Sequence, residues 1–462
     1  MNHPTTRQPT TPSRAHPPRR PSALAAALPA TVLVGLDASA VNVALPAIGR
    51  ALGGSTAGLQ WIVDAYTLMF AALLLSAGAI SDRLGAKRVF AVGLAVFTLS
   101  SVTSGFAPGL GLLVGSRLVQ GAAAAVLLPT SLSLVRQAYD DPHERAGALS
   151  LWSVGGAVSI AAGPVLGGVL TSALGWRWIF WINVPVGLAA LVVAGRAARS
   201  PRRNAAFDPA GQATAVIALA ALTFGVIEGG ATGFGRPLVL GALVLAVLAA
   251  TAFLLVERRV AEPMVPPGVF RSRVVRVSVA VGFALNAAYY GSVFVLGLFF
   301  QEILGRSAVV AGLLFVPMTG MIAVGNVFSA RAGRRFGKRV PIIAGQLVAA
   351  VSPLALLGTG AHTGLPLIAV ALVPFGAGVG FAVPSLVAAM LDDLPADRAG
   401  MAGGVLNTGR QVGGALAVAG FGVLVAHRSG FGAGLHLTML ISAVLLLATA
   451  ATSFALPRRH AR

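Results

Sequence analysis

The sequence predicts an all-α membrane protein with fourteen transmembrane helices. Of its 462 residues, 56% are hydrophobic and only 10% are charged, and the mean hydropathy is +0.83. A soluble domain carries about 25% charged residues. The apolar residues fall into fourteen long segments, and about 20 apolar residues in a row cross the hydrocarbon of a bilayer. Because every backbone polar group in a bilayer must be hydrogen-bonded without water, we predict that the segments are helices.

The fourteen segments follow an N-terminal stretch of a different composition. Met1–Ser22 is rich in Pro, Thr and Arg, so we predict a disordered tail there and no cleavable signal peptide. In chain order the segments are Ala23–Ile48, Leu59–Ile80, Val89–Phe106, Leu110–Val135, Ala146–Leu174, Ile179–Gly195, Ala213–Ile227, Leu238–Val256, Val277–Phe300, Val309–Phe328, Val340–Leu357, Leu365–Leu391, Ala402–Ala426 and Leu435–Leu456.

The basic residues indicate on which side of the membrane the termini lie. Connections on one side hold 27 of the 34 Lys and Arg residues and those on the other side hold five, while Arg117 and Arg410 lie inside segments. Cytoplasmic loops carry an excess of basic residues, so we predict a bacterial cytoplasmic (inner) membrane protein with both termini in the cytoplasm. The net charge of +20 does not indicate nucleic-acid binding, because the basic residues are spread over many short loops without stacking aromatic residues between them.

Several classes of catalytic and cofactor site lack their residues in this sequence. It contains no cysteine, which excludes disulfides and thiolate metal sites. Six of its seven histidines lie in tails and loops and the seventh, His436, at the start of the last segment, and no stretch has the Gly-x-x-x-x-Gly-Lys-Ser/Thr pattern of a phosphate-binding loop. We therefore predict no enzyme activity, no metal, no cofactor and no use of ATP within this chain.

Two polar connections predict how the helices are grouped. Arg196–Asp208 and Glu257–Arg276 are longer than most connections, and they bracket two helices. Asp82–Arg88 and Arg334–Arg339 both contain Arg-x-Gly followed by basic residues, each after the second helix of a group of six. Six-helix halves with a substrate site between them are a known transporter architecture. We predict a tail at 1–22, a six-helix bundle at 23–195, a linker with two extra helices at 196–276, a second six-helix bundle at 277–456 and a tail at 457–462.

The first segment contains an acid, Asp37, among residues that are apolar or small apart from Asn42 and two hydroxyl residues. A carboxylate at that depth is costly and usually faces a cavity or a partner inside the bundle. We predict that Asp37 carries a proton in a transport cycle. The alternative is a paired structural acid that never titrates.

Two further charged residues lie at a depth comparable to that of Asp37. Arg117, in the fourth segment, is predicted to assist proton release from Asp37, and the alternative is a purely structural ion pair. Asp64, in the second segment, is predicted to be a second titrating acid or a counter-charge for a cationic substrate. For Asp64 the alternative is an acid that only packs helices together.

Three stretches resemble signatures of the major facilitator superfamily. Gly78–Arg88 resembles its loop signature, Leu113–Gly121 its fourth-helix signature, and Ser159–Gly168 the fifth-helix motif that marks its antiporters. The resemblance implies a latch in the loop, where a carboxylate and basic groups bridge helix ends in one state only. It also implies a closely packed, proline-kinked gate in the fifth helix. In the second copy of the loop Arg334 replaces the Asp, so the two latches are not expected to be equivalent. The predicted gating residues are Gly78, Asp82, Arg83, Gly85, Arg88, Gly163, Pro164 and Gly167.

Four other stretches resemble the fourteen-span drug:proton antiporter branch of this superfamily, and the resemblance covers Leu24–Leu456. They are Asp37–Pro46, Leu59–Leu68, Trp176–Pro185 and Gly403–Gly414. The resemblance implies the major facilitator fold, with two six-helix bundles plus two additional linker helices, and export of small amphipathic or cationic drugs in exchange for protons. The partners it implies are small lipophilic substrates, protons and the lipid bilayer, with no nucleic acid and no obligatory protein partner.

Aromatic and amide side chains in the segments are the candidates for contact with a substrate. Such groups in a midplane cavity suit flat, lipophilic compounds through apolar burial and cation–π contact, and the alternative for each residue is ordinary packing. Arg410 is expected to pair with an acid or with helix carbonyls, and Glu228 to lie at the membrane interface. The candidates are Asn42, Trp61, Tyr66, Asn286, Tyr289, Tyr290, Phe299, Gln301, Asn407 and Gln411.

Three other functions compete with multidrug export. A dedicated exporter of one host metabolite, such as an antibiotic or a siderophore, would ignore most of a panel of dyes. A non-transporting membrane receptor on the same scaffold would move no compound at all. A proton-driven importer is opposed mainly by the Gly163-Pro164 motif.

Overall fold

The computed structural model describes residues 20–139, 141–196, 200, 208–260, 263–265, 267–394, 399–426 and 430–457. Within these residues every regular element is helical and no strand occurs. The tail predicted at 1–22 lies outside the described residues up to 19, and a helix begins at Arg20. The predicted C-terminal tail lies outside them from residue 458 onward, as does most of the first polar connection.

Sixteen α-helices make up the described structure. They are α1 (Arg20–Leu52), α2 (Thr56–Leu84), α3 (Ala86–Gly105), α4 (Leu110–Ala138), α5 (Pro142–Ala173), α6 (Trp178–Trp181), α7 (Asn183–Arg196), α8 (Pro209–Thr232), α9 (Pro237–Arg259), α10 (Arg273–Leu298), α11 (Ala308–Leu314), α12 (Val316–Phe336), α13 (Arg339–Leu356), α14 (Leu365–Asp393), α15 (Ala399–Leu424) and α16 (Phe431–Ser453). A short 3₁₀-helix, Pro267–Arg271, precedes α10, and a π-helical turn, Phe299–Ile303, extends it.

Thirteen of the described helices, counting joined pairs as one, are long and apolar enough to cross a membrane. They correspond to thirteen of the fourteen predicted segments, with α6–α7 and α11–α12 each forming one span. The remaining segment is α15, a helix of 26 residues that carries Asn407, Arg410 and Gln411. Charged and polar side chains inside a span usually face the bundle interior or a water-filled cavity, so α15 is not expected to face lipid alone.

The helices of each half pack mainly on one another. In the first half α1 packs on α5, α4 and α7, and α4 packs on α2 and α3; in the second half α10 packs on α15 and α16, and α14 packs on α12 and α13. The halves meet where α15 lies against α2 and where α11 and α12 lie against α5. The extra helices α8 and α9 pack together, and α8 also contacts α2 and α15, beside the junction of the halves.

The two copies of the loop repeat share a backbone conformation as well as a sequence pattern. Gly85 separates α2 from α3 with φ at +90°, and Gly337 separates α12 from α13 with φ at +79°. Side chains with a Cβ rarely adopt this region, so glycine is the residue that permits the chain to turn here. The Arg-x-Gly element of the repeat is therefore a turn that sets the following helix antiparallel to the preceding one.

Candidate functional site

Asp37 lies in the middle of α1 with only 2% of its surface exposed, and it forms an ion pair with Arg117 of α4. Two amide groups also donate to its carboxylate: Gln120 Nε2 at 3.0 Å and Asn183 Nδ2 at 3.1 Å. Asn183 begins α7 and Gln120 lies three residues after Arg117 on α4. Three helices therefore converge on one carboxylate, and each supplies part of the environment that a buried charge requires.

Arg117 has several partners within the protein, and its side chain is only 1% exposed. Its Nε donates to the Ile62 carbonyl at 3.2 Å, and its Nη1 donates to Gln120 Oε1 at 2.8 Å as well as to Asp37. The guanidinium carbon lies 4.2 Å from the centre of the Tyr66 ring, within cation–π range. The ion pair with Asp37 is thus one of several contacts that hold Arg117, and it joins α1 to α4.

Asp64 is also fully buried, but the structure gives it no partner. Its exposure is 0%, and neither carboxylate oxygen has a hydrogen bond among the described residues. It lies one helical turn beyond Gln60, whose Nε2 donates to the backbone carbonyls of Val418 and Ala419 on α15. Residues four apart share a helix face, so Asp64 lies on the side of α2 that meets the second half. An unpaired ionised carboxylate there would be very costly, which leaves Asp64 a candidate second proton site.

Arg410 of α15 contacts amide side chains, and the expectation that it pairs with an acid or with helix carbonyls is wrong. Its Nε donates to Asn286 Oδ1 at 3.1 Å and its Nη1 to Asn407 Oδ1 at 3.2 Å. Asn286 Nδ2 donates in turn to Gln411 Oε1 at 3.3 Å. The reason lies in the helix neighbours: α10 packs along α15 and places the Asn286 amide beside the guanidinium. Within the described residues no carboxylate lies within ion-pair distance of Arg410.

The candidate substrate residues are thus divided among several places. Asn286, Asn407 and Gln411 surround Arg410, Tyr290 packs against Gly414 one turn along the same interface, and Tyr66 covers Arg117. The others lie elsewhere: Trp61 packs on Phe224 of α8, Tyr289 lines a small apolar cavity inside the second half, Phe299 stacks on Phe431, Gln301 donates to the Val43 carbonyl, and Asn42 donates to the Ala38 carbonyl of its own helix.

The glycines of the fifth-helix motif allow α5 to approach the helix that carries Asp37. A Cβ on Gly167 would lie 2.6 Å from the Ala40 carbonyl oxygen, and a Cβ on Gly163 would overlap the Ser39 hydroxyl. The Pro164 carbonyl is in turn so close to Gly312 of α11 that no side chain fits there. The motif therefore lies where α1 and the second half both contact α5, a position consistent with its predicted gating role.

The loop residues predicted to form a latch are exposed in this structure. Asp82, Arg83 and Arg88 lie at the surface, and none of them forms a side-chain hydrogen bond or ion pair within the described part of the chain. Gly78, half-buried, lies on α2 with open space around its Cα, and Gly85 forms the turn. In the second copy Lys338 pairs with Asp392 at the end of α14 and donates to the Ala388 carbonyl at 2.9 Å.

Sequence reasoning missed three residues that complete the Asp37 site. Gln120 and Asn183 donate to the carboxylate, and both also contact the Ser101 hydroxyl on α3, Gln120 at 2.8 Å and Asn183 at 3.3 Å. The first two belong to stretches that the motifs already single out, and Gln120 shares a helix face with Arg117. The available signal for Gln120 was therefore a polar residue at helical spacing from an intramembrane arginine. No sequence signal pointed to Ser101.

Comparison with known proteins places this arrangement in a family. The family model described as Major Facilitator Superfamily matches residues 27–418. The chain belongs to the major facilitator superfamily. A solved structure has a similar fold: a bacterial homolog of the human lysosomal transporter Spinster, in an inward-facing and unoccupied conformation, superimposes with a TM-score of 0.69. It is 18% identical to this chain and covers 96% of it, and the match spans 97% of the solved chain.

Curated superfamily relatives are resistance and export proteins of bacteria. The methylenomycin A resistance protein of Streptomyces coelicolor is 38% identical over 411 residues, which is 88% of this chain and 86% of the relative. The tetracenomycin C resistance and export protein of Streptomyces glaucescens is 35% identical over 416 residues, 89% of this chain and 76% of the relative. The multidrug resistance protein Stp of Mycobacterium tuberculosis is 32% identical over 396 residues, 85% of this chain and 74% of the relative. These matches confirm the predicted superfamily, the helical fold and its relation to drug efflux proteins.

Proposed function

We propose that this protein exports antibiotics or other small amphipathic drugs across the bacterial cytoplasmic membrane in exchange for protons. The observation that carries the proposal is the carboxylate of Asp37, which is buried at mid-span and held by Arg117 between α1 and α4. An intramembrane acid of this kind usually belongs to a proton or substrate pathway. Its place in a superfamily member whose relatives include resistance and export proteins supports proton-coupled export.

In the proposed cycle Asp37 takes up a proton from the outside, and its attachment to Arg117 weakens. This change favours the form that is open to the cytoplasm. A substrate that enters from the cytoplasm or the inner leaflet promotes release of the proton inward, and the loaded protein turns outward. Each proton that returns down its gradient contributes about 2.3 kcal/mol per 100 mV to this work.

The hydrogen bonds between the halves support a cytoplasm-open state for the described structure. The side-chain bonds that join the two bundles in the described residues come from Gln60 and Gln301, and both lie near the ends of their helices on the predicted outer side. The predicted cytoplasmic latch residue Asp82 has no partner within the described part of the chain. The orientation used here rests on the distribution of basic residues, which predicts that both termini lie in the cytoplasm.

Proton movement in inside-out vesicles tests the proposal. The vesicles hold an acidic interior that is reported by a quenched dye, and candidate drugs are added to wild type, to Asp37→Asn and to Asp141→Asn. Asp141 is an exposed acid that caps α5, and Asn also caps helices, so this variant is a matched control. We expect several drugs to dequench the dye with wild type and Asp141→Asn and none to do so with Asp37→Asn. Full drug-dependent proton movement with Asp37→Asn would exclude Asp37 as the essential carrier.

Export of a single antibiotic is the second candidate function, because several relatives are named for resistance to one compound. The same vesicles distinguish the two candidates. A multidrug exporter responds to several unrelated compounds of the panel, whereas a dedicated exporter responds to one compound and its close analogues.

A further inference from the structure

In the polar cluster around Arg410 each amide oxygen of Asn286, Asn407 and Gln411 accepts a hydrogen bond, while several N–H donors have no partner in the described residues. A guanidinium only donates, so the Asn286 and Asn407 side chains must present their oxygens to Arg410. The Asn286 Nδ2 then donates to Gln411, so the Gln411 side chain presents its Oε1 to Asn286. The atoms without a partner in the described residues are Arg410 Nη2, Asn407 Nδ2 and Gln411 Nε2. All three are donors.

The site around Asp37 shows how the same set of donors is satisfied elsewhere in this chain. There a guanidinium from Arg117 and two amide nitrogens, from Gln120 and Asn183, converge on one carboxylate. Around Arg410 there are again a guanidinium and two amide nitrogens, but the described residues provide no carboxylate. The second cluster thus has the chemistry of the first without its anion.

The Arg410 cluster is partly exposed at the surface of the described structure. Asn407 is exposed, Arg410 and Gln411 are half-buried, and all three lie on a helix that packs between α10 and α2 at the junction of the halves. Arg410 lies eleven residues from the start of α15, about 16 Å of helix rise, so lipid headgroups at the membrane surface are not its natural partners. A charged side chain at that depth faces a cavity rather than hydrocarbon.

We propose that Arg410, Asn407 and Gln411 form a subsite that binds a carboxylate of the exported molecule. This inference rests on the proposed function, because it assigns the acid group of a substrate to a place between the halves. Charge-assisted hydrogen bonds from a guanidinium to a carboxylate are among the stronger polar contacts in proteins, and Arg suits planar carboxylates in particular. The protein accordingly favours amphipathic acids over their esters. Tyr290, which packs against Gly414, lies beside this subsite on α10 and offers an aromatic surface to the apolar part of the substrate.

A matched pair of dyes tests the subsite by binding. Rhodamine B carries a free carboxylate and its ethyl ester does not, while both share the same fluorophore. Fluorescence anisotropy with purified protein in phosphatidylcholine nanodiscs gives a Kd for each dye. We expect wild type to bind the acid roughly tenfold more tightly than the ester, the size of one charge-assisted hydrogen bond. The ratio of the two Kd values within one preparation does not depend on the fraction of protein that is folded.

Four variants identify the residues that produce the preference. Arg410→Gln is expected to bring the ratio close to one, and Arg410→Lys to keep part of it. Asn407→Asp places a fixed carboxylate beside Arg410, as Asp37 stands beside Arg117, and is expected to abolish the preference while Arg410 remains. Arg306→Gln, which removes an exposed arginine between the π-helical turn and α11, is the control and should keep the wild-type ratio. A wild-type ratio near one, or a ratio that Arg410→Gln leaves unchanged, overturns the inference.

The subsite and the proposed function fail in distinguishable ways. If the acid is preferred and Arg410→Gln removes the preference, but no compound of the drug panel moves protons in vesicles, proton-coupled export is wrong and the carboxylate-binding subsite stands. If the dyes move protons but wild type shows no preference for the acid, export stands and the subsite is wrong.

Discussion

The two halves of the molecule each place an arginine inside a transmembrane helix, and they neutralise it in different ways. Arg117 is almost completely buried and is paired with Asp37, with amides and an aromatic ring around it. Arg410 is half-buried, and its partners in the described residues are the amide oxygens of Asn286 and Asn407. The charge of Arg117 is balanced by a carboxylate, whereas no described carboxylate balances that of Arg410. We propose that a proton acts on the first cluster and a ligand on the second.

Under the two proposals made above, the two halves have different roles. The first half holds the proposed proton site and the second half the proposed acid-binding subsite. The helices that carry the two clusters do not stand apart: α15 packs on α2, which contributes Tyr66 and the Ile62 carbonyl to the Arg117 environment, and α10 touches α1. The two clusters are therefore connected through helices that pack directly on each other.

Removal of each arginine gives the largest expected difference between the clusters. Arg117→Met leaves the Asp37 carboxylate buried without a counter-charge, which should lower the free energy of unfolding by about 3–5 kcal/mol. Arg410→Met leaves two neutral amide oxygens without their donor, one on the buried Asn286 and one on the exposed Asn407, so a smaller loss of about 1–3 kcal/mol is expected. Thermal unfolding of the purified variants measures both. Adding Asp37→Leu to Arg117→Met should recover much of the loss. Equal losses for the two single variants would show that Arg410 is as fully compensated as Arg117.

Glycines that hold each cluster in place should give an intermediate effect, similar in the two halves. Gly167→Ala pushes α5 away from Ala40 of α1, and Gly413→Ala pushes α15 away from the backbone of Phe283 on α10, whose Cα lies 3.0 Å from the added Cβ. Each should cost about 1–3 kcal/mol of unfolding free energy, because backbone cannot yield as a side chain does. Gly115→Ala on α4 meets nothing within 4 Å and is the control. A control as unstable as the other two would remove the packing explanation.

The two copies of the loop give the smallest effect on stability. Asp392→Asn breaks the ion pair between Asp392, whose side chain is 55% exposed, and Lys338, whose side chain is 32% exposed. Because both groups are partly in solvent, the loss of unfolding free energy should be at most about 1 kcal/mol. Asp82→Asn removes a charge without a partner in the described residues, so its unfolding temperature should equal that of wild type, while drug transport slows if Asp82 latches another state. Unchanged transport by Asp82→Asn would contradict its predicted gating role.

Much of the fold could be predicted from the sequence because its signals are local. Apolar length predicted each span, and the positive φ of Gly85 and Gly337 explains a repeat that was visible in the sequence. The apolar segment predicted at Ala402–Ala426 is likewise one helix, α15, although it carries Asn407, Arg410 and Gln411. The superfamily was recognisable because its motifs are contiguous stretches, each read without knowledge of the rest.

The partners of the charged residues were decided by tertiary structure alone. The sequence placed Asp37 and Arg117 at similar depth. Tertiary structure decides the rest, because it depends on which helices are neighbours and how each is rotated. It brings Asn183 to Asp37, leaves Asp64 on the α15 side of α2 without a partner in the described residues, and surrounds Arg410 with amides. In a soluble helix an apolar stripe reveals that rotation. A membrane helix is apolar on the lipid side and on the packed side alike, so its sequence determines that it spans the bilayer, and only packing decides what its few polar side chains face.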